Sequence, residues 1–70
     1  MMPLALAQVG EKNSIMRIGG NPKIKKHLEQ LGFLPGSEIT IVTKIQGNVI
    51  VNVKEARIAI SEEMARKIMV

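Results

Sequence analysis

The chain has 70 residues, 46% of them hydrophobic, enough for one small domain that buries only about 60% of the surface its unfolded form exposes. It contains no cysteine and no aspartate, and a single histidine, which excludes a disulfide framework, a thiolate metal site and most catalytic triads. The net charge of +4 comes from scattered lysines, and with Phe33 as the sole aromatic there is no platform for stacking bases, so the charge reads as a solvated surface rather than a nucleic-acid site.

Residues 1–10, MMPLALAQVG, lack the basic start of a secretory signal, since the first positive side chain is Lys12. No apolar run approaches the roughly 20 residues that span a bilayer, so a soluble, cytoplasmic chain is expected. Pro3 at a first helical position, followed by Leu4, Leu6 and Val9, predicts a short helical turn that docks Leu4 or Leu6 and ends at Gly10. Glu11-Lys12-Asn13 reads as a polar connection. Ile15, Met16 and Ile18 predict a short strand stopping at Gly19-Gly20. That glycine pair is no phosphate cradle, because Asn21-Pro22 follows where a P-loop requires Gly-Lys-Ser/Thr.

Asn21 is a good N-cap and Pro22 a good first helical residue, and Ile24, His27, Leu28 and Leu31 then recur at helical spacing. Lys23, Lys25 and Lys26 crowd the positive end of this helix. Gly32 follows Leu31 as a left-handed closing residue, which lets Phe33 return its N–H to the Leu28 carbonyl and lay its ring on Leu28. Pro35-Gly36 then fits the centre of a type II turn.

Residues 37–45, SEITIVTKI, alternate as a strand with Ile39, Ile41, Thr43 and Ile45 on the core face and Glu38, Thr40, Val42 and Lys44 outside. Gln46-Gly47-Asn48 is predicted as a three-residue hairpin loop. Val49, Val51 and Val53 continue the core face against Ile50, Asn52 and Lys54. A turn near Lys54-Glu55-Ala56 leads to a strand with Ile58 and Ile60 inward. Ser61 caps a last short helix in which Glu62 and Glu63 stand four residues before Arg66 and Lys67. Met64, Ala65 and Ile68 face inward, and Met69-Val70 forms a closing strand. The sum is a mainly β single domain over 1–70: five short strands, one helix inserted after the first strand, and helical pieces near both termini. Closing the strands into a small SH3-like barrel removes exposed edges, an open sheet capped by the helix being the alternative.

Nothing in the pattern assembles catalysis. His27 lies on a helix face, flanking its apolar stripe and half-buried, and no spacing brings Ser14, Ser37 or Ser61 to it. The same lack of co-ligands leaves His27 without a metal site, and no cofactor motif is present. Binding remains. Phe33 points inward and leaves Leu34 on the outside of the turn, Val42 and Ile50 fall on outward faces of paired strands, and Lys25 and Lys26 offer charge nearby.

Leu28-x-x-Leu31-Gly32-x-x-Pro35-Gly36, two alternating strands and the ending Ala65-x-x-Ile68-x-Val70 resemble the ferrous iron transport protein A (FeoA) family, with Val9-Gly10 and Ile18-Gly19-Gly20 fitting upstream. Leu28, Leu31, Gly32, Phe33, Pro35 and Gly36 form the structural motif. The resemblance implies an SH3-like barrel in the cytoplasm and an accessory, non-enzymatic role beside the GTPase-coupled Fe(II) permease. The Gln46-Gly47-Asn48 loop is shorter than the family's, and Ser61 stands where a basic residue is common. The same barrel serves as an interaction module at the C-terminus of iron-dependent repressors, and basic SH3-like modules bind RNA; these are the alternative readings.

Overall fold

The computed structural model describes residues 1–70. Asn21 is extended and its Oδ1 accepts the Ile24 N–H at 2.9 Å, so α1 runs Pro22–Gln30 from the predicted cap. At its other end Phe33 N–H donates to the Leu28 carbonyl and Gly32 N–H to the Glu29 carbonyl, both at 3.0 Å, with Gly32 at φ +102. Leu28 and Phe33 are fully buried, so the cap also fixes the helix on the core. The Ser37 N–H then reaches the Leu34 carbonyl at 3.0 Å with Gly36 at φ +90, the expected type II turn. The Gly36 N–H donates onward to the Ile15 carbonyl at 2.7 Å and ties this corner to the start of the chain.

Six strands form: β1 Lys12–Ser14, β2 Arg17–Ile18, β3 Glu38–Ile45, β4 Asn48–Val53, β5 Ala56–Ser61 and β6 Ile68–Met69, with α2 Glu62–Ala65 between the last two and a 3-10 turn at Leu4–Leu6. β1-β3-β4-β5 make one antiparallel sheet and β2-β6 a second, and no ladder closes the two into one barrel. The additional strand is β1, which lies where a polar connection is expected. Its exposed Lys12 and Ser14 suit an edge strand, and it pairs with Glu38–Thr40. All fourteen buried residues are apolar and form one cluster, including Leu4, Ile15 and Ile68.

β3 departs from simple alternation. Ile39 and Ile41 are fully buried as predicted, but the register shifts between Ile41, which opposes Val51, and Thr43, which opposes Ile50. One extra residue in a strand inverts the phase of every residue beyond it. Ile45 therefore leaves the predicted core face and is 55% exposed. Lys44 comes to the side of its partner Val49, and its Nζ donates to the Ala5 carbonyl at 3.0 Å. Because Ile45 pairs with Asn48, the loop is the two residues Gln46-Gly47 rather than three. The Gly19 N–H donates to the Lys67 carbonyl at 2.6 Å, so the glycine pair serves the β2–β6 junction.

The first ten residues are part of the fold. Met2 and Val70 exchange backbone hydrogen bonds at 2.8 Å each, Pro3 bridges to Met69, and the Gly10 N–H donates to the Ile41 carbonyl at 2.8 Å. Leu4 is the docked leucine, fully buried, while Leu6 is exposed. This arm continues β1 along the free edge of β3.

Ser61 Oγ accepts the Met64 N–H at 3.1 Å, as expected of an N-cap. Glu62 pairs with Arg66 at 3.1 Å across exposed side chains, worth about 0.3–0.5 kcal/mol. The matching Glu63–Lys67 pair does not form, because α2 ends at Ala65 and Lys67 lies beyond its cap. The β4–β5 turn is Lys54-Glu55, with Lys54 at φ +55. Relief of roughly 1–2 kcal/mol of left-handed strain, against about 0.5–1 for the extra freedom of an unfolded glycine, gives Lys54→Gly a net gain of about 0.5–1 kcal/mol. The thermal midpoint should rise by roughly 2–8 °C. A fall would contradict the left-handed turn.

Candidate interaction surface

The bulge shapes the outer face of the main sheet. Thr43 and Ile50 are direct partners, Ile50 faces Ala59 on β5, and Ile45 opposite Asn48 stands diagonal to Ile50. Val42 is the inserted residue beside Thr43. Val42 and Ile50 are half-buried and Ile45 and Ala59 exposed, so one outer stretch joins apolar side chains from three strands.

Leu34 is elsewhere. It is 38% exposed at the Pro-Gly corner, ahead of β3. Four residue steps from Glu38 to Val42 put about 13 Å of strand between that corner and the bulge. Val42 and Ile50 are thus brought together, and Leu34 forms a separate projection. Lys25 and Lys26 are exposed on α1, and no acidic side chain lies in its first turn to offset them. His27, expected half-buried, is exposed, because Leu28 takes the core-facing position of that turn. His, Cys, Asp and Glu side chains form no group of three or more able to hold a metal ion.

Ile45, Leu6 and Val9 are exposed apolar residues that sequence reasoning did not assign to a surface. For Ile45 a signal existed. If Val49 faces inward, Asn48 faces outward, and a two-residue turn places Ile45 on the Asn48 side. Leu6 and Val9 carried no such signal, since their exposure depends on how the arm lies along β3.

Residues 2–70 match the model of the FeoA domain. The chain belongs to the FeoA family. It is 34% identical to a candidate Fe(2+) transport protein A of Methanocaldococcus jannaschii over 70 residues, covering all of this chain and 85% of the other. Among solved structures it is similar to Stenotrophomonas maltophilia FeoA complexed with zinc, described as a procaryotic SH3 domain protein. The TM-score is 0.85 at 24% identity, over 99% of this chain and 88% of that one. A manganese-dependent transcriptional repressor shares the fold at TM-score 0.86 and 17% identity, over 94% of this chain but 38% of its own. The architecture is therefore SH3-like, as the resemblance implies, and FeoA membership places the chain in a family of accessory proteins of Fe(2+) transport. Of its two departures from the FeoA pattern, Ser61 has a structural role as the cap of α2, and the short hairpin reflects the tight Gln46-Gly47 turn. No helix is long and apolar enough to cross a membrane.

Proposed function

We propose that the chain acts in the cytoplasm, binding a cytoplasmic region of the GTPase-coupled Fe(II) permease and supporting ferrous iron uptake through that contact, with iron as the cargo of the permease. FeoA membership supports this reading, and the observation that carries it is the outer face where Val42 and Ile50 meet across the bulge, with Ile45 beside them. Leu34 supplies a second apolar contact from a corner made rigid by the Leu34–Ser37 turn, which limits the entropy lost on docking. Lys25 and Lys26 steer the encounter.

Burying a leucine is worth roughly 1.5–3 kcal/mol, so Leu34→Ser should weaken capture of the permease by about tenfold or more while leaving the melting temperature nearly unchanged. Lys25→Glu with Lys26→Glu should weaken it less, and in a salt-dependent way. Full capture by folded Leu34→Ser would remove Leu34 from the contact, and unfolding of that variant would make it a core residue.

A further inference from the structure

β5 is a six-residue strand with a free edge: it pairs with β4 alone, whereas the far side of β3 is covered by β1 and then by Gly10. The Lys54-Glu55 turn makes Val53–Ala56 the first hydrogen-bonded pair of the hairpin. Ala56, Ile58 and Ile60 therefore aim their backbone groups at β4, and Arg57 and Ala59 aim theirs outward. The turn, loop and cap hydrogen bonds use neither of those two residues. The edge also lacks the usual protections. It has no proline, its six pairs with β4 run without a bulge, and Arg57 is its only charge.

We propose that this edge is a self-association site, on which β5 of a second copy adds antiparallel with Ala59 opposite Ala59. The strand is complementary to itself in that register. Arg57 falls opposite Ser61 of the other copy and next to its Glu62, an exposed carboxylate. On the inner side, half-buried Ile58 falls opposite Ile60. On the outer side, the small Ala59 stands beside Ile50, so the two-fold axis joins Ile50, Ala59, Ala59 and Ile50 into one apolar row. A shift of two residues one way sets Arg57 opposite Ala59 and takes it away from Glu62, and the other way runs into α2. A one-residue slip turns the inner isoleucines toward solvent. Among the registers that keep the isoleucines inward and stay clear of α2, only the Ala59-centred one brings Arg57 beside Glu62. It goes beyond the permease contact and does not depend on it.

Analytical ultracentrifugation of the full chain tests this over about 5–500 µM, since an edge pairing falls in the small-interface, weakly associating class. The expected result is a reversible rise from the mass of one chain to that of two. Ala59→Lys should weaken association by about tenfold or more without altering the melt, because Ala59 is exposed in the single chain. Ala59→Pro should act alike, since it removes an outward N–H that β4 does not use. The absence of native cysteine permits a second readout: Ala59→Cys should oxidise to a linked dimer, as hydrogen-bonded antiparallel pairs hold their Cα atoms about 5.5 Å apart. Asn52→Cys, exposed on the outer face of β4, should cross-link far more slowly. A single-chain mass throughout, undiminished association of Ala59→Lys, or equal cross-linking of the two cysteine variants would overturn the proposal.

Discussion

Leu4→Ala is expected to destabilise the protein by about 2–5 kcal/mol, the range for truncating a buried leucine in a core that relaxes only in part. Leu4 is fully buried, three residues from the exposed N-terminus, and belongs to the same cluster as Phe33 and Ile68. The arm carrying it is held at both ends, by the Met2–Val70 pair and by the Gly10–Ile41 hydrogen bond, so the gap cannot close by letting the segment drift away. Domains of this size have small reserves of stability, and a loss at the upper end of the range would leave much of the population unfolded. Urea titration should show the midpoint falling at near-constant slope. Leu6→Ala is the internal control: 70% exposed, it should change stability by no more than about 0.5 kcal/mol. Equal losses from the two variants would mean that the arm is not docked through Leu4.

Gly32→Val should cost about 1–3 kcal/mol, and for a reason that separates backbone strain from collision. A Cβ added at Gly32 meets no atom within 4 Å, so space is not the constraint; the φ of +102 is. Gly32→Ala should therefore lose nearly as much as Gly32→Val. A chemically made chain with D-alanine at that position should keep or exceed the parent stability, because a D-residue prefers the mirror-image region. If D-alanine and L-alanine destabilise alike, the left-handed cap is wrong. An unchanged thermal midpoint for Gly32→Val would say the same.

The segment from Asn21 to Gly36 was legible because each residue there limits the backbone locally. Asn21 caps, Pro22 starts, Gly32 closes and Pro35-Gly36 turns, and every one of these features is found in its predicted place. The valines of β4 were legible by alternation, since Val49, Val51 and Val53 are all buried. The second half of β3 was not. A bulge without glycine or proline leaves no mark in composition, and it took Ile45 from the core face to the surface and set Lys44, still exposed, opposite Val49. β1 was missed for a related reason, because pairing with β3 rather than any apolar pattern makes Lys12–Ser14 a strand. Leu34, the first residue of the Pro-Gly turn, could be placed by the turn chemistry alone. The extent of the outer apolar stretch could not, since it depends on which residue the bulge inserts.

The contact proposed with the Fe(II) permease is tested most directly by titrating the purified chain against the isolated cytoplasmic region of that permease and comparing it with Ile50→Asp. Ile50 is only half-buried on the outer face, between Thr43 and Ala59, so aspartate there should leave the fold intact while placing a charge in the centre of the contact. Saturable binding by the parent chain, with affinity reduced by about tenfold or more in folded Ile50→Asp, is the expected result. Equal affinity of the two chains, or no binding by the parent at all, would contradict it.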